Sequence, residues 1–251
     1  MHIAVLAKVV PDYEVPAMDF ELSNNRAHER FSRMLGLYDE NAIETGIQLK
    51  AKTSSSLTII SYGTDGDVQF LRKGVAMGAD KLILVKGTSD DPSVIAQNLK
   101  LAVEELGDVD LILAGQQSAD MDRGIVPGIL AQMLGATFIP QVGYIESKDD
   151  LWNVNQITST GKRELEFKGL GVLSITSIPE NVPRIPAVRA IFAAKKKPVV
   201  KLDGVDQGKM ALQEISVEIP KSESVCEFIN ADDPNEAVKT LLNRLTEERF
   251  I

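Results

Sequence analysis

Short apolar runs alternate with helical patterns over residues 1–142, and this alternation restricts the fold more than any other feature of the sequence. The runs predict buried strands, and the patterns predict helices with one apolar face. The predicted strands are Ile3–Ala7, Leu57–Ser61, Lys81–Val85, Leu111–Ala114 and Thr137–Val142. The predicted helices are Tyr38–Lys52 (capped by Asp39 or Asn41), Val68–Met77, Ser93–Leu106 and Ile125–Leu134. Strands that alternate with helices build a parallel sheet, so we expect an α/β fold with a mostly parallel, doubly wound sheet.

The pattern changes after residue 142. Strand patterns without intervening helices follow, and they predict additional antiparallel strands at the sheet edge. These strands are Gly143–Ile145, Leu151–Ile157, Arg163–Phe167 and Gly171–Thr176. Further on, the sequence predicts one or two helical turns (Ile185–Ala194), a linker (198–208), a strand (Glu214–Ile219) and a helix (Pro234–Arg249). We therefore expect an α/β domain over residues 1–198 and an extended C-terminal arm, residues 199–251, that ends in a helix.

Composition excludes several classes of function. The net charge of −9 disfavours a broad nucleic-acid surface. The single cysteine, Cys226, and the separated histidines, His2 and His28, offer no metal-ligand pair, so no metal site is expected. No apolar run reaches the roughly 18 residues of a membrane span, and no signal-peptide pattern opens the chain. We expect a cytoplasmic protein without membrane insertion.

A strand, a polar loop and a helix follow one another between Val109 and Gly135. In doubly wound proteins, ligands bind where a strand's carboxyl end meets the amino end of the next helix, and free N–H groups there favour phosphate. An ordinary strand-to-helix turn is the alternative for this loop. The chain has neither a GxGxxG fingerprint opening a helix nor a GxxxxGK[ST] loop, so the usual dinucleotide and P-loop sites are absent from the sequence.

Five segments in this order together resemble the beta (small) subunit of electron transfer flavoproteins. They are AKVVPD (7–12), YDENAIETGIQLK (38–50), RKGVAMGADKLILV (72–85), VDLILAGQQSADMD (109–122) and PRIPAVRAIFAAKKKP (183–198). The last segment is most similar to the branch associated with carnitine metabolism and nitrogen fixation, and to electron-bifurcating members. The resemblance implies that residues 1–198 bind an adenine nucleotide, either AMP or the ADP half of a second FAD.

The resemblance also assigns site residues. Those implied for the nucleotide are Leu6, Ala7, Lys8, Gly36, Leu37, Tyr38, Asp39, Tyr62, Gly63, Gly115, Gln116, Gln117, Ser118, Asp120, Asp122, Arg123, Gly124, Ile125 and Val126. Main-chain N–H groups from Arg123 to Val126 suit a phosphate, and Arg123 can add a charge-assisted bond. Because carboxylates repel phosphate, Asp120 and Asp122 are expected to organise the loop or to meet ribose hydroxyls, with a helix cap as the alternative.

One pair of residues separates FAD from AMP. Members of the family that bind AMP typically carry Thr-Gly where this chain has Val126-Pro127. Valine has no hydroxyl, and proline has no N–H, so two donors for a terminal phosphate are lost. Bifurcating relatives resemble this chain in carrying valine. FAD is therefore the preferred cofactor here, and AMP is the alternative.

The family implies an electron carrier that pairs with a large (alpha) subunit, with no catalytic side chain. With FAD bound, it implies that NADH donates a hydride and that electrons pass to a dehydrogenase, acyl-CoA dehydrogenase-like or other, and to ferredoxin. The partner-recognition residues are Val188, Ile191, Lys195, Lys196 and Lys197, and the terminal helix matches an arm that embraces the large subunit. The alternatives are a solvated basic surface at the lysines, a stand-alone ATP-binding protein, and a structural subunit with an empty site.

Overall fold

The structure is a computed structural model that describes residues 1–12, 20–23, 26–29, 33–205, 215, 226–231 and 233–251. It divides into two compact units, residues 1–215 and 216–251. The strands are β1 (His2–Leu6), β2 (Val9–Pro11), β3 (Phe20–Ser23), β4 (Arg26–Glu29), β5 (Arg33–Leu35), β6 (Ser56–Gly63), β7 (Lys81–Lys86), β8 (Leu111–Gly115), β9 (Thr137–Lys148), β10 (Leu151–Thr158), β11 (Gly161–Phe167), β12 (Gly171–Ile175) and β13 (Val200–Asp203). The helices are α1 (Leu37–Thr53), α2 (Val68–Met77), α3 (Pro92–Leu106), α4 (Val126–Leu134), α5 (Val188–Lys196) and α6 (Pro234–Glu247).

A nine-stranded sheet in the order β11-β10-β9-β12-β8-β1-β6-β7-β13 organises the first unit. Neighbouring strands from β9 to β13 in this order run parallel, whereas β10 and β11 are antiparallel to their neighbours. The predicted mixed α/β fold with antiparallel edge strands is therefore confirmed. The five strands predicted before residue 142 and the four helices between them are all present.

Helices cover both faces of this sheet. Ile43 of α1 and Leu71 of α2 are buried on one face, and Leu99 of α3 and Leu130 of α4 are buried on the other. Burying each such side chain contributes about 1.5–3 kcal/mol. The central strand β8 is buried at every residue, as expected for a parallel strand covered on both sides.

The predicted position of Gly171–Thr176 at the antiparallel edge is wrong. The strand β12 lies inside the sheet, parallel to both β8 and β9, and is buried along its whole length. The β9-β10-β11 meander extends the sheet outward, and the chain then returns to place β12 beside β8. The absence of a helix before β12 therefore did not indicate an edge strand, and its mainly apolar composition, broken only by Ser174, was the better signal.

Three further boundaries differ from the sequence predictions. Thr137–Val142 and Gly143–Ile145 form one strand, β9, with a register shift near its middle. The predicted linker contains β13, which pairs with β7 through Val200–Asp203. Gly36 occupies the N-cap of α1 without a side-chain cap, so neither Asp39 nor Asn41 caps that helix. Both of those side chains are bonded elsewhere.

Short strands follow β1. The strand β2 pairs with β5, and β3 pairs with β4, both in antiparallel register. The predicted strand Glu214–Ile219 lies outside the described residues, apart from Ile215.

The second unit contains α6. Asp233 caps this helix, because its carboxylate accepts a hydrogen bond from the main-chain N–H of Asn235 at 2.9 Å. Arg244 contacts Glu227 of the same unit at 3.1 Å. The predicted terminal helix is thus confirmed, whereas its docking on another chain stays a prediction. In the part of the chain that the structure describes, no helix has the length and apolar character needed to span a membrane.

Candidate nucleotide site

The chain reverses its direction of sheet growth at β1. After β1 the strands β6 and β7 are added on one side, and then β8 and β12 are placed on the other. A crevice forms outside the carboxyl ends of strands at such a switch point, and this is where open α/β sheets bind ligands. Leu6 pairs in register with Ala114, so Ala7 and Lys8 leave the sheet beside Gly115 and Gln116.

Asp39 bridges the two sides of this crevice. One carboxylate oxygen accepts a hydrogen bond from the Lys8 N–H at 2.8 Å, and the other accepts one from the Gly115 N–H at 3.1 Å. Gly36 continues the connection, because its N–H donates to the Lys8 carbonyl at 3.0 Å. The amino end of α1 therefore ties the end of β1 to the end of β8.

The close approach of α1 to β8 requires a glycine at residue 115. A Cβ atom added there would lie 2.4 Å from Asp39 Oδ1 and 2.8 Å from the Asp39 main-chain nitrogen. The side chain of Asp39 is buried, and burial raises its pKa to about 7 even though the N–H groups of Lys8 and Gly115 stabilise the carboxylate. Its two oxygens hold the protein main chain, so Asp39 shapes the site, and its contact with a nucleotide stays a prediction.

The polar loop after β8 is held by its own side chains. Lys8 Nζ pairs with Asp120 Oδ2 at 2.6 Å, and Gln117 Nε2 donates to Asp122 Oδ1 at 2.9 Å. Burial opposes ionisation of Asp120, but the Lys8 ammonium outweighs it and lowers the pKa of Asp120 below its ordinary value. Both acids thus organise the loop, and neither caps α4, which has no side-chain cap.

Backbone geometry turns the loop toward α4. Asp122 adopts a φ of 51° and Gly124 a φ of 61°. A Cβ atom at Gly124 would lie 2.8 Å from the Gln116 carbonyl oxygen, so a larger residue there would push the two ends of the loop apart. The helix α4 then begins at Val126 with Ile125 at the N-cap and Pro127 in the first turn. Without a side-chain cap, the first-turn N–H groups and the positive end of the helix dipole are available to an anion.

Tyr62 and Gly63 lie at the end of β6, the strand next to β1. The Tyr62 hydroxyl accepts a hydrogen bond from the Ser89 N–H at 3.0 Å, and its ring packs where a Cβ atom of Gly87 would be. Arg123 also contacts the loop Gly87–Asp90, which follows β7, because it donates a hydrogen bond to the Asp90 carbonyl at 3.4 Å. Sequence reasoning missed the Gly87–Asp90 loop, although a polar turn after a predicted parallel strand was the available signal.

The comparisons with known proteins agree with this layout. The sequence model of the electron transfer flavoprotein domain matches residues 30–206. An electron transfer flavoprotein subunit beta from Thermoanaerobacterium thermosaccharolyticum is 30% identical over 100% of both chains. Proteins of the same name from Mycobacterium leprae (31% identical; 87% of this chain, 82% of that protein) and Megasphaera elsdenii (32%; 81% and 78%) are also similar. The chain belongs to the electron transfer flavoprotein family. It corresponds to the beta subunit, and the resemblance read from the sequence is confirmed.

In this beta subunit, the residues implied for partner recognition lie on α5 and at the residue that follows it. Val188 and Ile191 are exposed on α5, and Lys195 Nζ lies 5.6 Å from the centre of the Phe192 ring. Lys196 is exposed at the last residue of α5. Lys197 instead donates to the Ala79 carbonyl at 3.1 Å, so this lysine fixes the segment as well as adding charge.

The residues implied for nucleotide binding fall into two groups, one joined by hydrogen bonds and one around it. Lys8, Gly36, Asp39, Gly115 and Asp120 are joined by direct hydrogen bonds at the β1–β8 crevice. The remaining predicted residues surround this group at the ends of β1, β6 and β8, at the amino end of α1, and along the polar loop up to the first residue of α4. They are Leu6, Ala7, Leu37, Tyr38, Tyr62, Gly63, Gln116, Gln117, Ser118, Asp122, Arg123, Gly124, Ile125 and Val126.

Proposed function

We propose that this beta subunit binds an adenine nucleotide at the β1–β8 crevice, with FAD preferred over AMP. The observation that carries the proposal is the uncapped amino end of α4, which lies directly after the loop that leaves β8. Free N–H groups at such an end bind the phosphates of nucleotides in many α/β proteins. A bound FAD would serve the electron transfer role of the family.

The phosphates would be held by the main chain between Arg123 and Val126, with Arg123 as the nearby cation. Arg123 is exposed, and its one described bond, to the Asp90 carbonyl, is long at 3.4 Å. Exchanging that bond for a charge-assisted contact with a phosphate would be favourable. Lys8 is a second cation at the crevice, although its partner Asp120 would have to be exchanged first.

The choice of FAD over AMP rests on Val126 and Pro127. Val126 lacks the side-chain hydroxyl of threonine, and Pro127 lacks the main-chain N–H of glycine, so two donors that Thr-Gly offers to a terminal monophosphate are missing. A diphosphate that continues outward to a flavin needs fewer donors at this point. AMP binding by a carrier that does not bifurcate electrons is the alternative.

With FAD bound here, the cofactor would supply hydride acceptance from NADH and one-electron transfer, and the chain would supply binding, orientation and electrostatics. Electron bifurcation to a dehydrogenase, for example an acyl-CoA dehydrogenase, and to ferredoxin is the reaction class we propose. Because the cofactor would carry this chemistry, none of the described side chains of the crevice has to act as a nucleophile. A stand-alone ATP-binding protein is the weaker alternative, because the sequence lacks an SGGxDS motif.

We further propose that the subunit works as a heterodimer with a large subunit in the cytoplasm. The residues 199–251 would contact the large subunit, and the exposed face of α5 would contact the dehydrogenase. Val188 is 69% exposed and Phe192 is 61% exposed, which is unusual for apolar residues of a short helix packed on a domain. A cleft of about 770 Å³ next to them is lined by Arg72, Ile185, Ile191 and Lys195, among others.

Replacement of Arg123 tests the proposed phosphate site. We expect Arg123→Ala to weaken binding of AMP and FAD about tenfold, because one charge-assisted hydrogen bond contributes roughly 1.5–3 kcal/mol and exposure reduces that value. The measurement is calorimetric titration of the purified protein after nucleotide removal, at constant salt. Arg163→Ala, an exposed arginine on the edge strand β11, is the matched control and should bind like the parent. Equal affinities of the parent and Arg123→Ala would count against phosphate binding at this loop.

A further inference from the structure

One face of α1 holds the segment that precedes the exposed α5 region. Asn41, Glu44 and Gln48 lie three and four residues apart and therefore share that face. Asn41 Nδ2 donates to the Asn181 carbonyl at 3.0 Å, and Gln48 Nε2 donates to the Glu180 carbonyl at 2.9 Å. These bonds bring the main chain around residues 180–181 onto α1.

Glu44 makes the strongest of these contacts. Its carboxylate accepts from Arg184 Nε at 2.7 Å, from Arg184 Nη2 at 2.7 Å and from the Arg184 main-chain N–H at 3.2 Å. Glu44 is only 4% exposed. Burial alone would raise the pKa of Glu44, but the bonds from Arg184 and Gln48 outweigh it and lower the pKa, so the carboxylate is charged near neutral pH. A two-pronged, charge-assisted pair of this kind fixes direction as well as distance.

The segment that follows Arg184 carries apolar side chains that are exposed. Ile185 is 95% exposed, and Val188 and Phe192 are exposed as well. Near the end of α5 the chain is bonded to α2, because the carbonyls of Ala194 and Lys197 accept hydrogen bonds from Arg72. Residues 185–193, which include the first residues of α5, therefore form a segment that is held at both ends and carries exposed apolar side chains between them, and we name it the exposed span.

We propose that Glu44 is a positioning residue, which sets the direction of the exposed span by holding Arg184 against α1. The role of the span in docking rests on the proposed function. The contact between Glu44 and Arg184 does not depend on that function. Asn41 and Gln48 hold carbonyls upstream of Arg184, so they cannot replace the contact that controls the departure of residue 185. The Glu44–Arg184 pair anchors the start of the span to the same helix whose amino end ties β1 to β8.

Amide hydrogen exchange of the full chain, followed by peptide mass spectrometry, tests this role. The variants are Glu44→Ala, Arg184→Ala, the double variant, and Gln48→Ala as the control, which removes the Gln48 bonds to the Glu180 carbonyl and to Glu44 Oε1 but keeps the Glu44–Arg184 pair. Arg184→Ala leaves Glu44 buried without its cation and can reduce folding, whereas the double variant removes both charges and should recover stability. We expect exchange in residues 185–193 to be roughly tenfold faster in Glu44→Ala and in the double variant, as a local opening that becomes easier by that factor would give.

The pattern of the variants separates positioning from general stabilisation. In Gln48→Ala, exchange of the span should stay within about twofold of the parent, and peptides of β1 and β8 should exchange like the parent in Glu44→Ala and in the double variant. Parent-like exchange of the span in the double variant would overturn the proposal, as would equal acceleration throughout the chain. If the span loosens but electron transfer with an acyl-CoA dehydrogenase used as a probe is unchanged, the proposed docking function fails while the positioning role holds.

Discussion

Gly115→Ala is expected to remove nucleotide binding and to lower the free energy of unfolding by about 1–3 kcal/mol, the usual cost of overpacking a filled site. The new methyl group would lie 2.4 Å from Asp39 Oδ1 and 2.8 Å from the Asp39 nitrogen and the Tyr38 carbonyl carbon. Two of these neighbours are main-chain atoms of α1, which cannot rotate away. The amino end of α1 must therefore move, and the bonds from Asp39 to Lys8 and Gly115 must lengthen.

Gly66→Ala is the matched control for this prediction. The nearest atom to an added Cβ at Gly66 is the Thr64 hydroxyl oxygen at 3.6 Å, an ordinary contact. Chemical denaturation and nucleotide titration of both variants give the comparison. We expect Gly66→Ala to match the parent in both. A Gly115→Ala protein that retains parent-like affinity for AMP and FAD would show that the β1–β8 crevice is not the binding site.

Asp39→Asn is expected to change how stability depends on pH. The folded state holds the proton of Asp39 up to about pH 7, whereas the unfolded chain releases it near 3.8. Between these values the folded state binds more protons than the unfolded state, so stability from this group falls as pH rises. The slope is about 1.4 kcal/mol per pH unit, and the whole span amounts to about 4 kcal/mol.

The difference between the unfolding free energies of the parent and Asp39→Asn isolates this effect, because all other titrating groups are common to both proteins. Measured by denaturant titration from pH 5 to pH 8.5, the parent's advantage should shrink as pH rises toward 7 and become constant above it. A difference that stays constant from pH 5 to pH 8.5 would mean that Asp39 is charged in both the folded and the unfolded state over this range, held in the folded state by the Lys8 and Gly115 N–H groups. In that case burial would not dominate its titration.

Much of the sheet could be predicted because its signals are local. The apolar runs that became β1, β6, β7 and β8 are short and bounded by polar turns, and the helices between them repeat apolar residues at helical spacing. In contrast, β13 is a short edge strand in which Leu202 is half-buried and the other three residues are exposed. This strand is defined by its pairing with β7, which lies more than 100 residues earlier in the chain. A local sequence pattern cannot indicate so distant a partner.

The candidate site shows the same division. The polar loop from Gly115 to Val126 could be identified from a strand, a turn and a helix in sequence order. The role of Asp39 could not, because its two partners, Lys8 and Gly115, are 31 and 76 residues away. The resemblance placed Asp39 among nucleotide-binding residues, whereas both of its oxygens hold the main chain. The Glu44–Arg184 contact, across 140 residues, was hidden for the same reason.

Quantification of the nucleotides released from the purified complex tests the account most directly. The protein is purified with its large subunit, denatured, and assayed for FAD and AMP by chromatography and absorbance against protein concentration. We predict two FAD molecules per heterodimer and no AMP, with the second FAD lost in Gly115→Ala. One FAD with one AMP would keep the crevice as a nucleotide site and overturn the FAD preference. One FAD and no AMP would contradict the central claim that this chain binds an adenine nucleotide.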